Sequence, residues 1–256
     1  MREHVRVPNL PVNAETVLAG KRYAKLLAEP LKNCGVHVLW VPDNDRVDPR
    51  LRGHADLSVF HAGGKKIFLA SQLKDSELCK ELAGLGFDVS YPDIMQDKSY
   101  PLDAQLNICI IGKHYLCRKD IVPFEIKEFL DNDRKLECID CRQGYSRCSV
   151  CVADENSIIT SDAGIAAAAE KNGIDVLKIR ESHVLLEGYP YGFIGGACFK
   201  AAEDVLLFTG SLDGHPDKDR MENFLLMRGI TPKYLTDLPA FDVGGIIPIS
   251  ETITNI

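Results

Sequence analysis

The sequence has no long apolar run and no excess of positive charge. A helix that crosses a bilayer needs about 20 consecutive apolar residues, and neither such a run nor a signal-like apolar stretch near the first residues is present. The 30 Lys and Arg against 37 Asp and Glu give a net charge of −7. We therefore expect a cytoplasmic protein without a membrane partner, and the charge argues against nucleic acid as a main partner.

The usual phosphate-binding loops are missing as well. The most glycine-rich segment, GFIGGACF at residues 192–199, lacks the Lys-Ser/Thr of a P-loop and does not match GxGxxG. Its glycines and Gly188 indicate either tight turns or a close backbone approach, and we favour turns. No linker or low-complexity segment divides the chain, so its 256 residues, 45% of them apolar, are expected to form a single domain, 1–256.

What is present is a repeated unit, which is clearest over residues 145–179. The pattern predicts a strand, a turn, a second strand, a helix and a third strand, in that order. The predicted bounds are strands at 146–152, 157–160 and 174–179 and a helix at 163–171, which Ser161 or Asp162 can cap and Asn172-Gly173 can end.

The unit recurs along the chain. A helix-ending glycine precedes an apolar strand at Gly35, Gly86, Gly173 and Gly229. Opening hairpins are predicted at 57–69, 106–117, 148–160 and 198–209. A fifth opening strand, at 243–249, has its helix (around 14–32) and its third strand at the other end of the sequence. Five copies closed in this way predict a five-fold pseudosymmetric α/β propeller without sheet edges, and disfavour a doubly wound sheet.

The opening strand of the first complete unit carries polar side chains. In GHADLS at residues 53–58, a two-residue strand period places His54, Asp56 and Ser58 on one face. Such a pair of His and Asp can orient each other or bind one cationic ligand. A loop-end His and an exposed Asp are the alternative, and the pattern leaves both interpretations open.

Nine cysteines, mostly within apolar strands, are typical of reduced thiols. Two CxxC pairs also allow a zinc site, although only six residues separate them and both pairs fall on predicted strands. Its ligands would be Cys138, Cys141, Cys148 and Cys151. We favour instead a reactive thiol at Cys148, because the neighbouring cation of Arg147 can lower the pKa of that thiol.

These units and motifs resemble the pentein superfamily, the α/β propellers of guanidine-modifying enzymes such as agmatine and arginine deiminases, dimethylarginine hydrolases and amidinotransferases. The GHAD motif at residues 53–56 is similar to the GHxD of agmatine deiminases. Two units later, where those enzymes place the nucleophile, stands Cys148; two units earlier around the ring, where they carry an acidic residue before Gly-Gly, stands Asp242. GGxxHC around Cys148 and the family's Trp-Arg-Asp segment are absent, and the hairpin phasing leaves Cys151 and Cys198 as alternative nucleophiles.

The resemblance implies a hydrolase that attacks a small guanidine or amidine through a covalent thioether on Cys148, with His54 as acid and base and with no metal or cofactor. The substrate-binding candidates are Asp56, Asp242, Arg147 and Asn107, the last being the one strongly polar side chain of its strand. Transfer to an amine would make the protein an amidinotransferase. A non-catalytic pentein binding protein is the second hypothesis and a zinc-stabilised module the third, and a homodimer is left open.

Overall fold

The computed structural model describes residues 2–95 and 99–253. In this part of the chain, sixteen strands form five small sheets. The strands are β1 (Arg2–His4), β2 (Ala14–Gly20), β3 (His37–Val41), β4 (Val59–Gly63), β5 (Lys66–Leu69), β6 (Asp88–Ser90), β7 (Cys109–Ile111), β8 (His114–Cys117), β9 (Glu137–Asp140), β10 (Val150–Asp154), β11 (Ser157–Thr160), β12 (Asp175–Lys178), β13 (Cys198–Ala202), β14 (Val205–Phe208), β15 (Thr231–Tyr234) and β16 (Ile247–Thr252).

The helices lie between the second and third strands of the units, apart from one short helix that precedes a hairpin. They are α1 (Ala24–Asn33), α2 (Glu77–Gly84), α3 (Phe124–Glu128), α4 (Ser146–Ser149), α5 (Ala163–Lys171) and α6 (Lys218–Leu226). A π-helical turn, Phe129–Asp133, continues α3. None of the helices in the two described ranges is both long and apolar enough to cross a membrane.

Four sheets share one topology, in which an antiparallel hairpin is joined by a third strand parallel to the second. In the unit that contains α5, β10 pairs antiparallel with β11, and β12 runs parallel to β11. The Asp162 carboxylate accepts a hydrogen bond from the backbone N–H of Ile165 (2.8 Å), and Gly173, with φ of +79°, ends the helix. The predicted helix at 163–171, its Asp162 cap and its glycine stop are confirmed.

The fifth sheet joins the two ends of the described chain. Its strand order is β1-β16-β2-β3, so β16 lies between two N-terminal strands and is antiparallel to both. The prediction of a shared fifth sheet is confirmed, but the helix predicted from residue 14 is wrong in its first half. Residues Ala14–Gly20 are almost entirely buried between β16 and β3, and a helix would leave half of these side chains without a partner.

Apolar side chains from neighbouring sheets pack into five clusters, each shared by two sheets. Three clusters join the sheets of the four complete units in chain order. The other two join the sheet of the chain ends to the last and to the first of these sheets. At the first hairpin, Ile249 of β16 packs with Leu18 of β2 and Ile67 of β5. The sheets therefore contact one another in a cycle, and burial of these clusters is the main force that holds the cycle together.

Two predicted strands are wrong where they approach the candidate site. Residues Ala55–Leu57 form a 3-10 turn, and β4 begins only at Val59. Residues Ser146–Ser149 form the helical turn α4, and β10 begins at Val150. The polar residues of interest therefore lie on tight turns that lead into strands, and the two-residue strand period does not apply to them.

We expect Ile249→Ala to lower the free energy of unfolding by about 2–5 kcal/mol, because a fully buried side chain in the cluster that joins the chain ends to the first hairpin would leave a cavity. Urea unfolding measures this change. Leu226→Ala, at a position 54% exposed, is the matched control and should change stability by no more than about 0.5 kcal/mol. Equal effects of the two substitutions would contradict the observed packing of β16.

Candidate active site

Three chemically active side chains from two units meet in a buried cluster. His54 and Asp56 lie on the turn before β4, and Cys148 lies on α4 before β10. Their ring-nitrogen, carboxylate and sulfur atoms all lie within 4.8 Å of one another. The Cys148 thiol donates a hydrogen bond to Asp56 Oδ2 at 2.8 Å. The structure thus brings together the three residues that the sequence analysis named as catalytic.

Asp242 reaches the same place from the segment before β16, and backbone groups fix its carboxylate. It accepts hydrogen bonds from the N–H groups of Phe193 (2.9 Å) and Gly244 (2.8 Å). A Cβ on Gly196 would lie 1.9 Å from Asp242 Oδ1, so only glycine fits there. The glycine-rich segment was predicted to serve as turns; at Gly196 it instead allows a close backbone approach to the carboxylate.

Asn107 and Arg147 lie behind the nucleophile candidate and do not line the cavity around it. Asn107 Oδ1 accepts hydrogen bonds from the backbone N–H of Arg147 (2.7 Å) and of Cys148 (3.3 Å), and its Nδ2 donates to Cys148 Sγ at 3.4 Å. The Arg147 guanidinium donates to the carbonyls of Gly195 (2.9 Å) and Ile246 (3.4 Å). The sequence predicted that these two residues bind substrate. In the structure they instead hold the α4 turn.

Burial dominates the electrostatics of the cluster. It raises the pKa of Cys148 well above its usual value, and the nearby carboxylates of Asp56 and Asp242 raise this pKa further. Burial also raises the pKa of Asp56 to about 7 and lowers the pKa of His54. The expectation that Arg147 lowers the pKa of Cys148 is wrong in direction, because desolvation and two carboxylates outweigh one cation whose charge is shared with main-chain carbonyls. At rest the site holds a thiol and a neutral imidazole.

A cavity of about 250 Å³ opens above these groups. His54, Cys148 and Asp242 contribute its reactive lining. Four aromatic rings also line it, from Tyr145, Tyr189, Tyr191 and Phe193. Sequence reasoning missed this aromatic lining, although the alternation Tyr-Pro-Tyr-Gly-Phe at residues 189–193 was a visible signal of it.

The other cysteines that the sequence singled out lie outside the lining of this cavity. Cys151 and Cys198 are buried in the apolar cluster shared by the third and fourth hairpins, away from the cavity lining. Cys138 faces Cys117, with their sulfur atoms 4.0 Å apart, and Cys141 contacts Ser146.

Within residues 2–95 and 99–253, the one group of three or more potential ligands in metal-binding proximity is His54, Asp56 and Cys148. The four-cysteine zinc site, which the sequence left as an alternative, is therefore not formed by the described residues, because the strands and turns point the four thiols to different places. His, Asp and Cys are themselves zinc ligands, so a divalent ion would compete with the thiol proton for this cluster.

A wider surface depression of about 530 Å³ lies elsewhere, between the first and second complete units. Lys66 in its lining is already bound to Asp88 (2.8 Å) and Ser90 (2.7 Å). Since no cysteine or histidine is among the described residues that line it, we place the reactive site at the smaller cavity.

Solved structures with the same fold include three guanidine-related enzymes. An amidinotransferase from Microseira wollei in the saxitoxin biosynthetic pathway matches with a TM-score of 0.62 and 12% identity over 98% of this chain and 99% of that chain. DDAH from Pseudomonas aeruginosa, complexed with citrulline, matches with a TM-score of 0.56 and 12% identity over 93% of this chain and 99% of that chain. The agmatine deiminase of C. jejuni matches with a TM-score of 0.53 and 10% identity over 92% of this chain and 91% of that chain. Such low identities establish the fold alone.

These matches define the class: the chain has the fold of the pentein superfamily, as its sequence predicted. A family profile covers residues 18–247, and the chain belongs to that family, which is described as a family of unknown function (DUF6873). A search of curated protein sequences gives no match to it.

We expect Asp56→Asn to become more stable relative to wild type as the pH rises. The pKa of Asp56 is raised from 3.8 to about 7, so above pH 4 the unfolded chain loses this proton before the folded chain does. Wild type therefore loses stability between pH 4 and 7, by at most about 4 kcal/mol, whereas the amide does not titrate.

Urea unfolding of both proteins at pH 4 and pH 8 measures this difference. Asp45→Asn, at a carboxylate whose side chain is 81% exposed, is the control and should show little change with pH. A stability difference for Asp56→Asn that is the same at both pH values would contradict the raised pKa.

Proposed function

We propose that the protein is a cysteine-dependent enzyme that hydrolyses a small guanidine or amidine through a covalent thioether on Cys148. The supporting observation is that a buried thiol, an imidazole and the Asp242 carboxylate line one cavity, and that the Asp56 carboxylate lies directly against this thiol. A planar guanidinium between Asp56 and Asp242 would form charge-assisted hydrogen bonds with both. We further propose that the five units form a propeller around this site, and that the free thiols suit a cytoplasmic location.

Two unpaired buried atoms support a cationic ligand. Asp56 Oδ1 and His54 Nε2 are buried and have no hydrogen-bond partner in the structure. Leaving such atoms unpaired costs about 1–3 kcal/mol each. A guanidinium has N–H donors for the carboxylate, and its departing amine has a site for the imidazole proton, so substrate would satisfy both atoms.

The first half of the reaction forms the thioether. A bound cation offsets the negative charge of Asp56 and Asp242 and so lowers the pKa of Cys148. The thiol proton passes to neutral His54, and the thiolate attacks the guanidinium carbon as the C=N electron pair moves to nitrogen. His54 then protonates one nitrogen, the C–N bond breaks, and ammonia or an amine leaves.

The second half of the reaction hydrolyses the thioether and regenerates the free thiol. His54, now neutral, takes a proton from a water molecule, whose oxygen attacks the amidino carbon. The C–S bond breaks as the new hydroxyl oxygen forms the C=O bond and gives its proton to solvent, and the proton on His54 returns to the sulfur. The product is a urea, or an amide in the case of an amidine. Attack by an amine in place of water would give an amidinotransferase, which is the alternative within the same chemistry.

We expect a haloacetamidine to alkylate Cys148 much faster than the matching haloacetamide. The two reagents have the same leaving group, but the amidine is a planar cation, and the carboxylates at the cavity attract it. We expect at least a tenfold difference in rate for Cys148, measured by peptide mapping in the presence of a chelator. Asp242→Asn should reduce the difference, since one of the two carboxylates is then neutral.

Cys138→Ser is the control, because this half-buried thiol lies outside the cavity and its loss should leave the labelling of Cys148 unchanged. Release of ammonia or amine from a panel of guanidines by wild type, and its loss in Cys148→Ser, would complete the assignment. Equal rates for the two reagents at Cys148, with no turnover of any guanidine, would favour a non-catalytic pentein. Product that forms only when an amine is added would identify a transferase.

A further inference from the structure

The lining of the cavity indicates what the rest of the substrate is made of. Beyond His54, Cys148 and Asp242, the lining consists of aromatic rings and the aliphatic side chains of Leu51, Leu186 and Pro190. No Lys, Arg or further carboxylate is among the described residues that line it. A charged group on the substrate tail would therefore meet apolar surface after losing its hydration.

The tyrosines turn their hydroxyls away from this space. Tyr145 donates its hydroxyl to Asp103 (2.6 Å), and Tyr191 donates to Glu181 (2.8 Å). Neither carboxylate lines the cavity. The hydroxyl groups are thus occupied elsewhere, and the cavity receives the ring surfaces.

The third tyrosine is held in a similar way. The guanidinium carbon of Arg50 lies 4.1 Å from the centre of the Tyr189 ring, so one face of the ring is covered. Arg50 itself is bound to Asp48 (2.7 Å) and donates to the carbonyl of Gly188 (2.9 Å). Tyr189 therefore offers its remaining apolar surface to the cavity.

The cations near the entrance are already neutralised. A groove of about 560 Å³ shares Leu186, Tyr189, Pro190 and Asp242 with the cavity and continues outward from it. Its two arginines form ion pairs with neighbouring carboxylates: Arg22 with Asp43 and Arg50 with Asp48, each at 2.7 Å. An anionic tail in this groove would have to compete with these pairs.

We propose that the substrate is a guanidine or amidine whose substituent is uncharged and apolar, a short alkyl or aryl group that lies against the rings of Tyr145, Tyr191 and Phe193. This inference rests on the proposed function, since the guanidinium must occupy Asp56 and Asp242 for its substituent to enter the aromatic part. The cavity of about 250 Å³ corresponds to about eight water-sized volumes, at ~30 Å³ each. It therefore has room for a small ligand, and a short substituent suits its size.

The physical basis is selective desolvation. An apolar substituent leaves water for ring and aliphatic surface, which is favourable in proportion to the area buried. A carboxylate or ammonium in the same position gives up its hydration without gaining an ion pair. Guanidines should therefore differ in their affinity for the site according to the charge at the end of the substituent.

Three compounds of equal chain length test this selectivity: butylguanidine, guanidinobutanoate and aminobutylguanidine. Their affinities for Cys148→Ser, which cannot form the thioether, are measured by isothermal titration calorimetry with a chelator present. We expect butylguanidine to bind at least tenfold more tightly than either charged analogue. In wild type, the same order is expected in kcat/KM.

Phe193→Ala and the conservative Phe193→Leu, each introduced into the Cys148→Ser background, test the aromatic surface. The alanine should reduce the preference for butylguanidine severalfold, and the leucine should retain most of it, because leucine keeps the surface apolar. Phe124→Ala, at an aromatic ring that is 70% exposed on another face, is the matched control and should leave the preference unchanged.

The outcomes separate this inference from the proposed function. If a haloacetamidine labels Cys148 selectively but guanidinobutanoate or aminobutylguanidine binds as tightly as butylguanidine, the apolar tail is refuted and the enzyme assignment stands. Tighter binding of aminobutylguanidine in particular would show that the rings hold a cation. If no guanidine binds and Cys148 shows no preference for the amidine reagent, the inference and the proposed function both fail.

Discussion

The site depends on the burial of two carboxylates next to a thiol. Asp56 and Asp242 are each 2% exposed, as is Cys148. Negative charge so far from water is unfavourable unless a cation or N–H donors accompany it. Asp242 accepts hydrogen bonds from two backbone N–H groups, whereas Asp56 accepts a hydrogen bond from the Cys148 thiol and has a raised pKa. A cation in the cavity would therefore be stabilised by these carboxylates.

Neighbouring residues hold these groups in position. Asn107 holds the backbone of the α4 turn through its side-chain oxygen, and Gly196 lets the main chain approach Asp242. Gly244, at φ of +69°, has no room for a side chain because a Cβ would lie 2.2 Å from the Cβ of His54. The reactive side chains come from turns that lead into the first strands of different units, and the cyclic packing of the sheets brings those turns together.

The sequence was sufficient for the large-scale features. Repeated helix-ending glycines and hairpins are local signals, and they predicted the units and the helix Ala163–Lys171 with its cap. These features follow from short-range propensities that tertiary packing reinforces. The expectation that His54, Asp56, Cys148 and Asp242 meet came instead from the resemblance to the pentein superfamily.

Other features depend on three-dimensional surroundings that no local pattern encodes. An alternation of polar and apolar residues at 54–58 fits a strand, yet the same residues form a 3-10 turn, because β4 pairs only from Val59 onward. Arg147 adjoins Cys148 in sequence, but its charge is directed to main-chain carbonyls, and burial decides the pKa of the thiol. The aromatic lining comes largely from a long loop; its alternating aromatic residues at 189–193 were visible in the sequence, but the path of the loop that turns them to the cavity was not.

The position of β16 affects how the chain can fold during its synthesis. This strand fits between β1 and β2, more than two hundred residues earlier in the chain. During synthesis the N-terminal sheet must wait, with the edge of β2 unpaired, until residues near 250 have left the ribosome. Asp242 also arrives late, so the cluster of His54, Asp56 and Cys148 is synthesised long before the carboxylate that lies beside it. All four groups are therefore in place only when the cycle of sheets is complete.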